Sequence, residues 1–353
     1  MGLPVVAVPI FNGIISILRS SITPRSKALM NIIYLAPLEG VTDSIYRNTF
    51  ERYYGGVDKY FTPFISPNST FKFTTREFKD IDPEKNNINK TVPQILTNNS
   101  EHFLWAVNEM AALGYKEINY NLGCPSGTVV AKKKGSGLLF YPEELDKLLY
   151  EVFEGLPSGV EISIKTRLGK SEPEEFYEIL DIYNKYPISE LTIHPRIQTD
   201  FYKEPIRPKF FECAVEHSKA PLVFNGDVTS IEGIKDTYRK YDNLNAVMIG
   251  RGLIANPGLA IGYKKGLADA DDIKLDLVLF KKFHDDLLNQ YTEILSGEKP
   301  VLHRMKEFLS FWQINFPDEE KLIKKLRKAN RISEYRDYFN QLISSATTAD
   351  NHN

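Results

Sequence analysis

The sequence contains little cysteine, little net charge and no long apolar run. Its 353 residues include only two cysteines, Cys124 and Cys213, which excludes a disulfide framework and a zinc site built from cysteines. Such scarcity is typical of a reducing compartment, so we expect a cytoplasmic protein. The histidines on predicted helices show no ligand spacing, and no metal is expected. The formal net charge of −2 gives no global sign of a polyanionic partner, which would have to bind a local basic patch.

No segment is apolar for long enough to cross a bilayer, so we expect no membrane partner. The first 29 residues are fairly apolar, but Pro4, Pro9 and Gly13 interrupt them and Arg19 ends the run. No basic segment precedes them. We therefore predict that residues 1–29 form a poorly ordered extension, in preference to a targeting segment.

Eight short runs rich in β-forming residues alternate with helical patterns. The runs are continuously apolar, as expected of parallel strands that are buried on both faces. Alternation over about 230 residues predicts an α/β fold, a closed (β/α)8 TIM barrel across residues 30–269. The predicted strands are 31–36, 58–65, 91–96, 117–121, 160–165, 189–194, 221–225 and 245–249.

Strand patterns end near residue 270, and a C-terminal all-helical domain is predicted over residues 270–345. We expect the polar residues 346–353 to be a frayed tail. Capping-box spacing at Ser171 and at Thr229 predicts two helix starts in the barrel. The predicted helices of the C-terminal domain are 273–295, 301–315, 318–330 and 332–345.

Polar residues follow the predicted strands at one rim of the barrel. The carboxyl ends of the strands carry the active site in this fold, so the residues there are the candidates for chemistry. This concentration is the strongest functional signal that the residues themselves provide. In chain order the candidates are Pro37, Leu38, Glu39, Gln94, Asn121, Cys124, Lys165, His194, Asn225, Gly226, Asp227, Gly250 and Arg251.

The turns after the seventh and eighth strands have the composition of a phosphate site. Gly226 and Gly250 let backbone amides approach a ligand closely, and the loops after these two strands form the common phosphate site of the fold. Arg251 adds a fork of donors that suits phosphate. The pair of turns predicts a phosphorylated ligand, and the alternative is that the glycines only make tight turns.

Three side chains at the strand ends can take part in a reaction. Lys165 can form a Schiff base or hold an anionic ring oxygen. His194 can be a base or a hydrogen-bond donor, or it can be structural. Cys124 lies in a loop, where a thiolate would act as a nucleophile and a thiol as an acid. The residues alone leave these alternatives open.

Two basic stretches are candidates for contact with a polyanion. Lys132, Lys133 and Lys134 follow Cys124 and place positive charge at the mouth of the predicted site. Residues 321–331 interleave basic residues with leucine, which is typical of an RNA-binding helix or of a solvated face.

The rim motifs resemble those of tRNA-dihydrouridine synthases, in particular the bacterial members. They follow in the order of that family over about residues 31–345, and the cysteine motif is the specific one. Arg304-Met305-Lys306, ahead of Trp312, is similar to the C-terminal RNA-binding domain of the family. The motifs are LAPLEGVTD at 35–43, NLGCP at 121–125, KGSG at 134–137, KTRLG at 165–169, IHPR at 193–196, NGD at 225–227 and IGRG at 249–252.

The resemblance implies an FMN-dependent enzyme that reduces uridine in tRNA with NADPH as the reductant. Hydride would pass from the flavin to C6 of the uracil, and Cys124 would protonate C5. We also expect a monomer. By resemblance, the FMN-binding residues are Pro37, Leu38, Glu39, Gln94, Lys165, His194, Asn225, Gly226, Asp227, Gly250 and Arg251, and the substrate-binding residues are Asn121, Lys132, Lys133, Lys134 and Arg304.

Three other functions remain as alternatives. A flavin barrel similar to dihydroorotate dehydrogenase would share the phosphate loops but would not need the basic stretches. An aldolase acting through Lys165 would be colourless. A non-catalytic RNA-binding protein would not need Cys124, Lys165 and Gln94 together.

Overall fold

Eight parallel strands close into a barrel in the computed structural model, which describes residues 31–267 and 275–350. Every strand pairs with its neighbours in chain order, and the first strand pairs with the eighth. The predicted (β/α)8 barrel is confirmed, whereas the predicted extension 1–29 lies outside the described residues. The strands are β1 (Ile32–Leu35), β2 (Lys59–Ile65), β3 (Thr91–Ile95), β4 (Glu117–Leu122), β5 (Glu161–Arg167), β6 (Leu191–His194), β7 (Leu222–Phe224) and β8 (Ala246–Ile249).

The strands are buried on both sides, which explains why their sequences are mostly apolar. They are not continuously so, because Gln94 in β3 and Asn119 and Asn121 in β4 are buried polar residues. Successive side chains of a strand point to opposite faces. In β1, Ile33 and Leu35 pack in the large cluster that includes the surrounding helices, while Tyr34 packs in a smaller cluster with Phe61 and Met248. This smaller cluster fills the interior of the barrel, so the barrel is a packed core and not a pore.

Fourteen α-helices are assigned in the described part of the chain. Two of them begin later than the capping patterns predict. The Glu175 carboxylate accepts from the amides of Lys170, Ser171 and Glu172, so the helix starts at Glu175 itself. The other helix, predicted to be capped by Thr229, is capped instead by Ser230, whose hydroxyl accepts from the Gly233 amide at 3.0 Å. The helices are α1 (Ser44–Tyr53), α2 (Thr75–Ile81), α3 (Ser100–Ala112), α4 (Gly127–Val130), α5 (Pro142–Glu154), α6 (Glu175–Tyr183), α7 (Pro208–His217), α8 (Ile231–Lys240), α9 (Arg251–Ala255), α10 (Leu259–Lys264), α11 (Leu277–Ile294), α12 (Glu298–Trp312), α13 (Glu320–Lys328) and α14 (Ile332–Asp350).

The last helix runs five residues beyond its predicted end at 345. Ala346 packs against the core, and the hydroxyl of Thr347 bonds to the Ile343 carbonyl one turn earlier at 2.8 Å. Residues 346–350 are therefore helical although their composition is polar. The boundary predicted near residue 270 falls in the segment 268–274, outside the described residues.

The C-terminal helices pack against α1 of the barrel through aromatic side chains. Tyr46 stacks on Phe308 with ring centroids 5.2 Å apart, and the Tyr291 hydroxyl donates to Asp43 at 2.7 Å. Trp312 is fully buried in the same core. This packing brings the end of α12 to the carboxyl ends of the strands. None of the helices in the described ranges is both long and apolar enough to span a bilayer.

Replacing Arg47 by methionine should lower the free energy of unfolding by about 3–5 kcal/mol, because the change leaves a buried carboxylate unpaired. The guanidinium of Arg47 lies 3.2 Å from Asp80 and also bonds to the carbonyls of Thr42 and Asp80 and to Asn86. Urea denaturation monitored by circular dichroism measures the change. Arg52→Met on the same helix is the control: Arg52 is 57% exposed in its pair with Asp286, so its loss should cost less than about 1 kcal/mol. Equal losses would contradict the assignment.

Candidate active site

A cleft of about 1320 Å³ opens at the carboxyl ends of the strands. It lies where this fold places active sites. Its walls come from the end of β5, from the loops after β1, β4, β6, β7 and β8, and from the end of α12. The lining includes the predicted residues Pro37, Leu38, Lys165, His194, Asn225, Gly226, Asp227, Gly250 and Arg251.

The loops after β7 and β8 pack so closely that they require glycine. A Cβ atom added at Gly252 would lie 2.3 Å from the Val228 carbonyl oxygen, and one added at Gly226 would lie 2.4 Å from the Phe224 ring. Helix α9 begins directly after Gly250, so its first amides have no partner within the helix. This end of the cleft thus presents backbone donors beside a guanidinium, as a phosphate site needs.

Asp227 joins two arginines at the same end of the cleft. Arg196 donates through both of its terminal nitrogens to the carboxylate, and Arg251 donates to Oδ1 at 2.7 Å. Burial alone would raise the pKa of Asp227, but bonds and charge from Arg196 and Arg251 bring that pKa below its ordinary value. Asp227 therefore orients Arg251 as an ionised carboxylate.

Tyr202 lies in the cleft between two guanidinium groups. Arg251 lies 4.6 Å and Arg167 lies 5.1 Å from the centre of the Tyr202 ring. The preceding residue, Phe201, has a left-handed φ of 50°, which is costly for a side chain of this size. The loop after β6 thus holds an aromatic ring beside Arg251, at the end of the cleft formed by the loops after β7 and β8.

His194 is held as a neutral imidazole. Its Nδ1 lies 2.5 Å from the Asn225 carbonyl oxygen and must donate to it, which leaves Nε2 as the acceptor facing Arg196 at 3.3 Å. Burial lowers the pKa of His194 well below its ordinary value, and the charges of Arg167 and Lys165 lower it further. His194 therefore carries a lone pair and no proton at Nε2, and Arg196 donates to that lone pair.

Lys165 points a partly buried amine into the cleft. Within the described residues its Nζ has no hydrogen bond or ion pair. Burial lowers the pKa of Lys165 to about 7, and the charge of Arg167 contributes. An amine with this pKa is divided between its two protonation states at neutral pH and gains a proton readily when an anion lies beside it.

Cys124 directly follows Gly123, which lines the cleft, but Cys124 is not itself among the lining residues. Burial raises the pKa of the Cys124 thiol above its ordinary value, although a bond from the Ser126 backbone and the charges of Lys165 and Arg167 oppose the increase. The thiol therefore keeps its proton at neutral pH. That state suits an acid and not a nucleophile.

Arg167 ties three segments of the rim together. This buried guanidinium donates to the backbone carbonyls of Gly123 at 3.0 Å, Ile197 at 2.8 Å and Phe201 at 2.7 Å. It thereby fixes the backbone before Cys124 relative to the loop that carries Tyr202.

Gln94 and Asn121 belong to a row of hydrogen-bonded side chains inside the barrel, near the carboxyl ends of β3 and β4. They are not among the residues that line the cleft. Asn121 Nδ2 donates to Gln94 Oε1 at 2.7 Å, and Gln94 Nε2 donates to Asn119 at 2.7 Å. Asn121 Oδ1 also accepts from the amide of Cys124 at 2.9 Å. This row of side chains therefore positions the cysteine loop, while the predicted ligand contacts of both residues stay predictions.

Other predicted site residues lie outside the cleft. Glu39 is exposed and pairs with Arg76 at 2.6 Å. Arg304 is partly buried, bonds to Glu307 at 3.2 Å and lies 3.8 Å from Asp43, so it links α12 to the loop after β1. Lys132, Lys133 and Lys134 lie together in the cysteine loop, where Lys133 pairs with Glu144 at 2.7 Å.

Sequence reasoning missed several residues of the cleft. Arg196 could have been found, because it ends the His-Pro-Arg motif at a strand tip. Tyr202 lies in an irregular loop without a motif, and the residues from α12 belong to a distant part of the chain. The latter are Ser310 and Phe311 of α12, together with Gln313, Ile314 and Asn315 of the short 3₁₀ helix that follows it. Within residues 31–267 and 275–350, no group of three or more His, Cys, Asp or Glu side chains could hold a metal ion.

Comparison with known proteins identifies the family. The model of the dihydrouridine synthase (Dus) family matches residues 34–350. The chain is 30% identical over 258 residues to tRNA-dihydrouridine synthase B of Pasteurella multocida, covering 73% of this chain and 76% of that protein. It is 26% identical over 321 residues to tRNA-dihydrouridine(16) synthase of Neisseria meningitidis (strain Z2491), covering 87% and 93%. The structure of histamine dehydrogenase from Rhizobium sp. 4-9 resembles the fold with a TM-score of 0.52 at 13% identity, covering 69% of this chain and 47% of that one.

The family match extends over the barrel and the C-terminal helices alike. It includes every strand tip that lines the cleft, and the family predicted from the rim motifs is confirmed. The chain belongs to the dihydrouridine synthase family of oxidoreductases.

Proposed function

We propose that this protein is a tRNA-dihydrouridine synthase that reduces the C5–C6 double bond of uridine with FMN as cofactor and NADPH as reductant. The observation that carries the proposal is that the unpaired amine of Lys165 and the two glycine loops line one cleft, with the protonated thiol of Cys124 next to the lining residue Gly123. The names of the bacterial relatives support tRNA as the substrate.

The residues of the cleft fit a flavin mononucleotide. Arg251 and the amides after Gly250 suit its phosphate, and Asn225 and Gly226 lie beside them for the ribityl chain. Lys165 supplies a cation that finds no partner in the described protein, as an anionic ring edge requires. When bound, FMN supplies the hydride that goes to C6 of the uracil.

Cys124 supplies the proton that completes the reduction at C5. Its thiol is protonated at neutral pH because burial raises its pKa. Asn121 holds the Cys124 amide and Arg167 holds the Gly123 carbonyl, so the peptide bond before Cys124 is fixed. On the other side, the Ser136 hydroxyl donates to the Cys124 carbonyl at 2.8 Å. One proton leaves Sγ, the C5–H bond forms, and the thiolate recovers a proton from water.

We further propose that the protein is cytoplasmic, since its two cysteines suit a reducing compartment. We also propose that it acts as a monomer. Lys132 and Lys134 would contact the tRNA backbone at the mouth of the cleft.

The proposed function is tested with the purified protein and with cells that lack it. We expect yellow protein with stoichiometric FMN, NADPH-dependent formation of dihydrouridine in unmodified tRNA, and the loss of one dihydrouridine from the tRNA of the deletion strain by mass analysis. Colourless protein after growth with ample riboflavin, together with unchanged tRNA in the deletion strain, would contradict the proposal.

Arg251→Ala should lose FMN on purification, because it removes the charge at the phosphate end of the cleft. We expect affinity for FMN to fall by at least about tenfold, since hydrogen bonds to charged groups contribute about 1.5–3 kcal/mol. Fluorescence titration of the apo-protein measures the change. Arg239→Ala, an exposed arginine of α8 paired with Glu232, is the control. A yellow, stoichiometric Arg251→Ala protein would refute the phosphate assignment.

The aldolase alternative has one observation in its favour, because an unpaired Lys165 with a pKa of about 7 is also suited to Schiff-base formation. Family membership favours the flavin reaction instead. Borohydride in the presence of an aldehyde or ketone substrate would trap a covalent adduct at Lys165 only in an aldolase.

A further inference from the structure

An aromatic patch lies on the rim beside the cysteine loop, outside the cleft. It consists of Phe71, Phe73, His102 and Trp105, from the loop after β2 and from α3. Phe71 approaches His102 and Trp105 with ring centroids 5.5 and 5.8 Å away, and Phe73 approaches Trp105 at 4.8 Å. Phe71 nevertheless remains 37% exposed.

The loop holds Phe71 outward at a conformational cost. Its φ of 49° lies in the left-handed region, which large side chains avoid. Asn68 maintains the turn: its carbonyl accepts from the Phe71 amide at 3.0 Å, and its side chain accepts from the Thr70 amide at 2.9 Å. Strained residues of this kind persist only where the surrounding structure holds them, and they cluster at ligand-binding sites.

Direct contacts fix the patch to the cysteine loop. Lys134 Nζ donates to the Ser66 hydroxyl at 3.3 Å, at the start of the loop that carries Phe71. Asn98, just before α3, donates to the Lys132 carbonyl at 3.1 Å. The patch and the cysteine loop thus form one continuous rim surface.

Positive charge flanks the patch on the side of the cysteine loop. Lys72 and Lys132 are exposed and form no ion pair within the described ranges, and Lys134 has no carboxylate partner there. The nearby Glu77 is turned inward, where it accepts from the amides of Ser66 and Thr74. The exposed acidic residues of α3 are Glu101 at its start and Glu109 one turn after Trp105.

Both neighbours of Phe71 are tilted away from its plane. The interplanar angles are 79° to His102 and 67° to Trp105, and no described aromatic ring lies parallel to Phe71. An exposed ring without a stacked neighbour, next to unpaired lysines, is the combination with which proteins bind unpaired bases of a nucleic acid.

We propose that the aromatic patch is a stacking surface for an unpaired base of the RNA substrate, with Phe71 as its platform and Lys72 and Lys132 on the flanking phosphates. This proposal rests on the proposed function, since it assumes an RNA substrate. A base that is pulled from its stack leaves its neighbours exposed, and the patch stabilises one of them beside the cleft.

Binding of unmodified tRNA to the FMN-loaded protein tests the proposal. Phe71→Leu keeps an apolar side chain but removes the ring, and Phe71→Gly removes the ring while relieving the left-handed strain. Both should weaken binding about tenfold, whereas Phe71→Tyr should stay within about twofold of wild type. Phe78→Ala is the matched control: Phe78 is 41% exposed on α2 and makes no ring contact with the patch. The affinity of the Phe78→Ala protein for tRNA should equal that of wild type.

Tryptophan fluorescence provides a second readout. The chain has two tryptophans, and Trp312 is fully buried, so quenching by tRNA reports on Trp105. Quenching should occur in wild type and be much reduced in Phe71→Leu.

Each outcome decides between distinct explanations. Wild-type affinity in Phe71→Leu, or an equal loss in Phe78→Ala, would overturn the stacking surface. A change in sedimentation with unchanged RNA affinity would make the patch an interface between copies of this chain and would equally overturn it. Failure of wild type to form dihydrouridine would refute the proposed function instead.

Discussion

Cys124→Ala should lower the rate of dihydrouridine formation by about 10²–10⁴-fold while leaving the binding of FMN and tRNA intact, because loss of a positioned general acid has an effect of this size. The chemical reason is that reduction at C6 leaves negative charge that must be quenched at C5. The structure offers a thiol for this purpose, held beside Lys165 and protonated because burial raises its pKa.

The rate of a single turnover, measured by mixing reduced protein with unmodified tRNA, separates chemistry from binding. Oxidation of NADPH by the free enzyme should continue in Cys124→Ala, since no proton from the thiol is needed there. In wild type, turnover should decline at alkaline pH as the thiol loses its proton. Cys213→Ala, on the outer helix α7, is the control and should behave as wild type. Full activity in Cys124→Ala would eliminate the acid role.

Lys165→Met should stabilise the protein without its cofactor and at the same time weaken FMN binding. The amine of Lys165 is partly buried without a partner, and burial lowers its pKa to about 7 from 10.5. Holding that charge in the cleft therefore costs free energy at neutral pH. Removing it should raise the free energy of unfolding of the apo-protein by about 1–3 kcal/mol.

The sign of the pH dependence follows from the same shift. Between about pH 7 and 10.5 the unfolded chain keeps a proton on this lysine that the folded chain releases. The contribution of Lys165 to stability therefore rises with pH across this window, and Lys165→Met should remove that rise. Urea denaturation of apo-protein at pH 7 and pH 9 measures it.

Lys59→Met provides the contrasting control. Lys59 pairs with Glu117 at 2.7 Å and with Glu190 at 3.0 Å, so its loss leaves two carboxylates without a cation and should destabilise by about 1–3 kcal/mol. A Lys165→Met protein that is destabilised and still retains FMN would show that this amine has a structural role.

The barrel could be predicted because each strand is recognisable from its own run of apolar, β-forming residues. Each strand is largely buried on both faces, so a run such as Ala246 to Ile249 is apolar whichever neighbour it pairs with. Their order follows from the number of strands, because eight alternating strands and helices predict a closed barrel in which each strand pairs with the next one along the chain. The rim positions of Lys165, His194 and Arg251 follow from where those strands end.

Helix ends were harder to predict because several side chains compete for the same free amides. Ser171 has the expected spacing, yet Glu175 reaches the amides of Lys170, Ser171 and Glu172 and starts the helix later. At α8, Ser230 takes the capping position that Thr229 also fits. The spacing of residues is the same in either case, and only the path of the backbone selects the cap.

The sequence by itself determined the barrel, the rim that carries the chemistry and the family, since short apolar runs and motifs are local properties of the chain. Tertiary structure decided the state of each group at that rim. It set Asp227 between Arg196 and Arg251, closed Gln94 and Asn121 into an interior chain, and left Lys165 without a partner. Such properties depend on burial and on the charges that distant segments bring within a few ångströms, and no local pattern encodes those distances.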